Sequence, residues 1–564
     1  MTNALKTVYR PAMQPDIRNI CLIDTPRLIC EGFENSGHSV LRIQASPEPF
    51  FDLPEALAKH DFKPDLVFQC ENLVARSIVT GLDTLDCPLL FWCVDPHLNA
   101  HWHSAYARLF DLVCCTQKTW IPKVQQQGAS DVRWLPWFGR DFPWTDWNKR
   151  KHGLAFVGRV SEQRPARKWM VEFLEDKAAA FNPAIEQDVS YPDMMRLYQN
   201  SKIIPNESIF GEINFRLFEA ASCGCMVLSQ DLGEEQEELF EPGREFDTYA
   251  HIAEFDDKLS NYLKNDRLTQ IMGRAAYERL QAEHLAIHRV ARITEYAGGA
   301  SKNRATGTDA AKWTALAACA MWEAGVIKVA PTDLLRRLSE IPQDGELAAA
   351  TLRIQAMTNR SKVLTDNINT ILGQDLYADS AELNLAGSMA ALRSDNWDGA
   401  KAFWYRHLKA TNARDTQPPQ DRKELLTLWA KDLKRRGRLV RAGIGYDPAH
   451  DLPAAAAECL VTALDEAPED LPTLRLLDTI LQPIIGTEHT RVGFLSILTL
   501  HERNDWRLAF EIALANLKSY RLESGLEELH LAREIALKQG QETAFVRILK
   551  ARDPSGLLMG LIDR

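Results

Sequence analysis

No stretch of this chain approaches the roughly 20 consecutive apolar residues that a membrane-spanning helix needs. A membrane-embedded class is therefore not expected. The opening residues, MTNALKTVYRPAMQPD, lack the basic-then-apolar pattern of a secretory leader. Positive charge is also short. The net charge is −11, so the molecule as a whole is not built to coat nucleic acid or an anionic membrane, and a nucleic-acid partner is not expected. Paired metal-ligand cysteines are missing as well. The 11 cysteines are odd in number and scattered, and only Cys114-Cys115 and Cys223-Gly-Cys225 fall close together. They read as reduced thiols of a cytoplasmic protein.

What remains is an ordinary globular composition, 45% hydrophobic and 25% charged, with length for about three to four domains. Apolar runs alternate with helical periodicity over the first half. Strands are expected at 17–24, 39–44, 65–70, 88–94, 112–115 and 132–135, with a helix over 26–38 ending near Gly37. The rhythm restarts at GLAFVGR (153–159), followed by a helix over 166–180 and a short buried strand, SKIIP (201–205). Strands alternating with helices imply mainly parallel, doubly wound sheets. Helices are expected over roughly 251–297.

The stretch FGEINFRLFEAASCGCMVLSQD (210–231) concentrates the chemistry. Phe215, Leu217, Phe218 and Ala221 lie at helical spacing, with Asn214 as the candidate N-cap. Gly224 stands where a helix ends in a left-handed residue, and Met226-Val227-Leu228 re-enters a sheet. The polar residues therefore sit at a strand's carboxyl end, where open α/β sheets bind ligands. A helix N-terminus there offers N–H groups to a phosphate. Arg216 adds a cation, and Glu219 a carboxylate suited to sugar hydroxyls. An ordinary helix with a solvated face is the plainer reading of the same residues.

A linker, GGASKNRATGTDA (298–310), precedes a change of character. Beyond it Ala and Leu recur at helical spacing. In AAECLVTALDEAPED (456–470), Ala456, Leu460, Ala463, Leu464 and Pro468 follow the second-helix pattern of a tetratricopeptide repeat. NWDGAKAFW (396–404) and DWRLAFEIA (505–513) are looser copies. Residues 311–564 thus read as a tetratricopeptide-like α-solenoid, suited to a protein partner. A generic Ala-rich helical domain is the alternative.

Several motifs in order resemble the GT-B glycosyltransferases, most closely the group named for the spore-maturation protein CgeB. Asn214, Arg216, Phe218, Glu219, Ala220 and Gly224 are followed by Phe240, Gly243 and Glu245. Phe156-Val157-Gly158 ends the first strand of the second domain, with Arg159, Arg164 and Arg167 downstream. His284 and Arg289 form a closing His-x4-Arg, Trp92 to Asp95 match a Trp-x-x-Asp strand end, and FDLVCCTQ with GASDVRWLPW resembles the exit from the first domain.

The resemblance covers about residues 17–297. It implies an α/β plus all-α chain: an N-terminal Rossmann-like domain (1–148, acceptor side), a second one facing it across a cleft (149–297, donor side), the linker 298–310 and the helical domain 311–564. It also implies a nucleotide-sugar donor, of UDP type, as substrate, and no cofactor. Glu219 would bind the donor ribose. Arg216, Asn214 and the start of their helix would face the diphosphate, Gly158 would let the phosphates approach, and Arg159 or Arg164 would neutralise the departing diphosphate. No Asp-x-Asp occurs in the first 300 residues, so a metal is not expected. One departure stands out. Where many retaining members carry a glutamate eight positions before the ribose-binding one, this chain has Gly211, with Glu212 one place late as a candidate catalytic substitute.

An inverting mechanism needs a general base, for which Asp95 is the candidate; its plainer role is a helix cap. His97, His101 and His103 lie nearby, and the i, i+2 spacing of His101 and His103 sets them on different helix faces, against a shared metal. The Trp-rich run from Trp134 to Trp147 reads as hinge packing, His284 as a packing residue, and EEQEEL (234–239) as a solvated helix face.

The expected function is metal-independent sugar transfer in the cytoplasm of a bacterium, onto a protein acceptor such as a flagellin or surface protein recruited by the helical domain. A polysaccharide or lipid-linked glycan acceptor, a degenerate scaffold, and an epimerase or phosphorylase on a similar fold stay open.

Overall fold

The computed structural model describes residues 17–45, 47–162, 164–358, 361–413 and 418–563. The opening segment read for a leader lies outside these residues. The chain forms two compact units. One runs through Pro136 and resumes over Ala286–Gln343; the other takes Trp137–Leu285 and Asp344–Arg564.

The first unit contains β1 (Asn19–Ile23), β2 (Ser39–Ile43), β3 (Phe50–Asp52), β4 (Leu66–Cys70), β5 (Ile78–Thr80), β6 (Leu89–Cys93), β7 (Leu112–Cys115) and β8 (Val132–Trp134). Six of these form a sheet in the order β2-β1-β4-β6-β7-β8, parallel throughout. β6 and β7 are continuous apolar runs and β4 is one broken only by Gln69, which accepts from the Tyr106 hydroxyl at 2.8 Å; every residue of the three is buried, as strands covered on both faces require. β3 and β5 pair separately; at three residues each they are too short for a periodic signal. Helices Ala286–Gly298 and Gly307–Glu323 belong to this unit. The first of them approaches helix Arg27–Asn35 closely at Gly32, where a Cβ would fall 2.8 Å from Val290 Cγ2.

The second unit opens with β9 (His152–Val157), β10 (Pro183–Glu186), β11 (Ser201–Asn206), β12 (Met226–Gln230) and β13 (Asp247–Tyr249). They form one parallel sheet in the order β10-β9-β11-β12-β13. Strand order reverses between β9 and β11, the position at which doubly wound sheets open a ligand crevice. Their ladder pairs Ser201 with His152 and Ile203 with Leu154. Pro205, two residues on, has no N–H with which to extend it.

From Asp344 onward the described residues form helices and no strands. Small residues bring neighbouring helices together. A Cβ on Gly387 of helix Ala381–Arg393 would lie 2.5 Å from Phe403 Cζ of helix Trp397–Ala410. Gly525 stands in the same relation to Leu517 Cγ, at 2.5 Å. The last helices do not pack only among themselves. Trp506, Phe510, Leu529 and Phe545 share one buried cluster with Phe156 of β9, Leu228 of β12 and Phe255. Among the described residues, no helix is long and apolar enough to cross a membrane.

Candidate functional site

The helix Phe215–Ser222 starts beside the carboxyl ends of β9 and β11. Asn214 occupies its N-cap position but makes no side-chain cap bond. Its amide Nδ2 donates instead to the Glu207 carbonyl at 3.1 Å, holding the 207–214 loop against the helix start. At the other end Gly224 adopts φ +67°, the left-handed conformation expected of it. A Cβ there would lie 2.4 Å from Trp144 Cζ3. Arg150 closes the same end, donating from Nη2 to the Cys223 carbonyl at 2.7 Å and from Nη1 to the Ser201 carbonyl at 2.6 Å. Two tryptophans of the Trp-rich run pack around this helix: Trp137 lies against Phe215, with centroids 3.8 Å apart, and Trp144 lies over Gly224.

Arg216 spans the point where strand order reverses. Nη2 donates to the Val157 carbonyl of β9 at 3.3 Å, and Nη1 to Asn206 Oδ1 of β11 at 3.2 Å and to the Glu207 carbonyl at 3.4 Å. Its guanidinium lies 4.8 Å from the Phe156 ring centroid. Burial opposes its charge, but Tyr198, Glu207 and Glu219 around it hold its pKa above the ordinary arginine value. Gly158 makes this possible, because a Cβ there would press on Arg216 Nη2 at 3.2 Å and on the Phe156 ring.

Glu219 lies one turn into the helix. Burial pushes its carboxyl up to about 7, against the pull of Arg216 and Arg140. Arg140 stacks on Tyr191, 4.4 Å from its ring centroid, and both lie close enough to feel the Glu219 charge. Arg140 and Tyr191 were not singled out from the sequence. Each is far from the motif, and only the fold brings them to it.

Arg159 and Arg164 are exposed, and no ion pair among the described residues holds either guanidinium. Partial desolvation and the neighbouring Arg167 lower the pKa of Arg164. Arg167 differs from both. It is buried and donates from Nε and Nη2 to Glu207 Oε2 at 2.8 and 2.6 Å. Glu212 lies in the loop, where Oε1 accepts from the Ile209 N–H at 3.4 Å. Gly211 adopts φ +76°, a conformation a glutamate side chain would strain.

In the first unit Asp95 is half-buried at the N-cap of helix Pro96–Tyr106, with no side-chain cap bond. Its N–H donates to Glu71 Oε2 at 3.0 Å, as does that of Val94 at 2.9 Å, while Asn99 Nδ2 reaches Oε1 at 2.7 Å. Burial works against the Glu71 charge, but His103, Arg76 and these donors overcome it and hold the carboxyl at about 2. Glu71 follows β4, beside the reversal of strand order in this sheet. No sequence pattern marked it.

Glu71, Cys93 and His103 are close enough to suggest metal ligands. His103 meets Cys93 Sγ through Nδ1 at 3.0 Å and Glu71 Oε2 through Nε2 at 3.1 Å. These are opposite sides of the imidazole, so the ring bridges the pair rather than sharing one ion with it.

One reading of side chains needs correction. The EEQEEL helix, Glu234–Leu239, is not a solvated face throughout, because Glu235 and Gln236 are buried and Gln236 Nε2 donates to Ser229 Oγ at 2.8 Å. His284 is a packing residue. It lies between Phe218 and Phe240, with Nε2 donating to the Leu239 carbonyl at 2.9 Å. Arg289, in the first unit, is buried and donates from Nε to the Pro136 carbonyl at 2.8 Å.

Residues 149–295 match the model of a family described as glycosyl transferase-like. No curated protein matches the chain. Among solved structures, the chain is similar to Anabaena HepE in complex with UDP and glucose (13% identity, 49% of this chain and 98% of that one, TM-score 0.33). It is also similar to a glycosyltransferase from Rickettsia africae (12%, 50% and 98%, TM-score 0.35) and to sucrose-phosphate synthase from Thermosynechococcus elongatus (11%, 49% and 98%, TM-score 0.37).

Proposed function

We propose that the chain is a GT-B glycosyltransferase that transfers a sugar from a nucleotide-sugar donor, of UDP type, held by the second unit. The observation that carries this reading is the Glu219 carboxylate. It sits at the crevice of the second sheet among Arg216, Arg140 and Tyr191, and among the described residues no hydrogen bond reaches it. The family match covers the same residues. A carboxylate in that setting suits a vicinal diol such as a ribose. One turn earlier, the helix start offers N–H groups that lack intrahelical partners, to which a diphosphate fits.

Arg159 and Arg164 supply mobile positive charge for the diphosphate as the glycosidic bond breaks, the work a divalent metal does elsewhere. Gly158 keeps the backbone low beside them. Arg216 braces the crevice by tying the ends of β9 and β11. Glu212 is assigned to the donor sugar, in the place of the glutamate that Gly211 displaces. Asp95, with its backbone fixed by Glu71, is assigned as the general base for an acceptor hydroxyl. The helical region is read as a tetratricopeptide-type solenoid, because Ala456, Leu460 and Ala463 of its pattern are buried positions of helix Ala456–Glu466. A protein acceptor recruited by it follows from that reading.

A thermal-shift panel with UDP, GDP, dTDP, CDP and CMP, beside Glu219→Ala, tests the pocket. A nucleotide at about 100 times its Kd adds about 2.7 kcal/mol of stability. UDP is expected to stabilise the wild type and to do so far less in the variant. A folded protein that no nucleotide stabilises would overturn the reading and favour a scaffold.

A further inference from the structure

The C-terminal helices reach the candidate donor site through a pair of tyrosines. Tyr249, at the end of β13, donates its hydroxyl to the Asn206 carbonyl at 3.1 Å. That uses its single proton. The hydroxyl of Tyr520, 2.6 Å away, must therefore be the donor in the bond between the two phenols. Tyr520 lies between helices Trp506–Lys518 and Leu522–Lys538, is 3% exposed, and holds φ +67°. A non-glycine residue in the left-handed region costs energy and persists where its surroundings over-determine it. The chain of contacts continues inward, since Asn206 Oδ1 accepts from Arg216 and Asn206 Nδ2 donates to Ser229 Oγ at 3.1 Å.

A second contact arrives independently. Gly486, at φ +89°, lies so close to the 207–214 loop that a Cβ would come within 2.6 Å of the Phe210 nitrogen.

We infer that Tyr520 is a positioning residue for nucleotide binding. It acts through Tyr249 and Asn206 on Arg216, so the helical region completes the donor site as well as carrying any partner surface. This rests on the donor reading given above. The hydroxyl contributes direction rather than bulk. Tyr520→Phe keeps the ring in the shared core and removes only the donor that orients Tyr249. The ordinary net worth of one such hydrogen bond corresponds to about a threefold to tenfold weakening of nucleotide affinity.

The test titrates UDP, GDP and dTDP calorimetrically into the full-length protein. It compares the wild type with Tyr520→Phe, Tyr249→Phe, Arg216→Lys and the Tyr520→Phe/Arg216→Lys double variant, with Tm recorded for each. Both tyrosine variants are expected to weaken binding by that factor. In the Arg216→Lys background the Tyr520→Phe effect is expected to shrink, because the two act as one chain. A residue that serves only to hold the fold would lower Tm with unchanged Kd, or would add its effect in full to that of Arg216→Lys; either result overturns the proposal. Should Tyr520→Phe fail to fold, Tyr249→Phe and its double variant with Arg216→Lys carry the same comparison. Wild-type protein that binds none of the three nucleotides overturns the donor reading itself, an outcome separate from normal binding in the variants.

Discussion

At the residue scale, the informative group is a carboxyl with the wrong neighbours for an ordinary helix surface. Glu219 is held at about 7 because burial outweighs the attraction of Arg216 and Arg140. The sign of its effect on stability follows from linkage. An acid whose folded pKa lies above its unfolded value near 4.5 binds more protons in the native state, so its contribution falls as pH rises from about 4.5 through 7. Glu219→Gln is expected to flatten that part of the wild-type Tm profile. Binding of a diol should run the other way, since the ionised carboxylate is the better acceptor. UDP affinity is expected to rise between pH 6 and 8 in the wild type and to stay level in Glu219→Gln, measured by calorimetric titration across that range.

At the element scale, the helix Phe215–Ser222 is short for its task. Eight residues gain little from helix propensity alone, and the packing at both ends has to hold it. Trp137 against Phe215 secures the start; Arg150, Trp144 and the left-handed Gly224 secure the end. Gly224→Ala brings two penalties together, a left-handed alanine and a Cβ 2.4 Å from the Trp144 ring. The expected loss is on the order of 2–4 kcal/mol in urea unfolding. The loss of nucleotide binding should accompany it, since the helix start can no longer be aimed.

At the scale of the whole molecule, the second sheet and the last helices are one folding problem. Trp506, Phe510, Leu529 and Phe545 share a core with Phe156 and Leu228. Each large side chain loses about 1.5–3 kcal/mol when left exposed. Removing the chain from Asp505 onward is therefore expected to unfold the sheet that carries Glu219, not merely to shorten a solenoid. Limited proteolysis should cut the truncated protein within 149–297, where the full chain resists.

Much of the local structure was legible in the chain. Helical spacing of Phe215, Leu217, Phe218 and Ala221, with Gly224 after them, marked a helix and its stop, because 3.6-residue periodicity and a left-handed glycine are local properties. The apolar runs at 89–93 and 112–115, and the mostly apolar 66–70, announced buried parallel strands for the same reason. Other features depended on residues distant in sequence. Arg140 and Tyr191 join Glu219 across some 79 and 28 positions of chain, and Glu71 reaches Asp95 from the end of the neighbouring strand of the sheet. Asn214 was placed correctly at its N-cap, yet its side chain serves the Glu207 carbonyl, since the loop fold offers a nearer partner than the helix does. Tyr520 carries no motif at all. Its hydroxyl matters only because tertiary packing sets it 2.6 Å from that of Tyr249. Periodicity and turn chemistry are written residue by residue, so the sequence alone determined the longer elements, though not strands as short as β3 and β5; which side chains meet across 271 residues is settled by the shared core that folds them together.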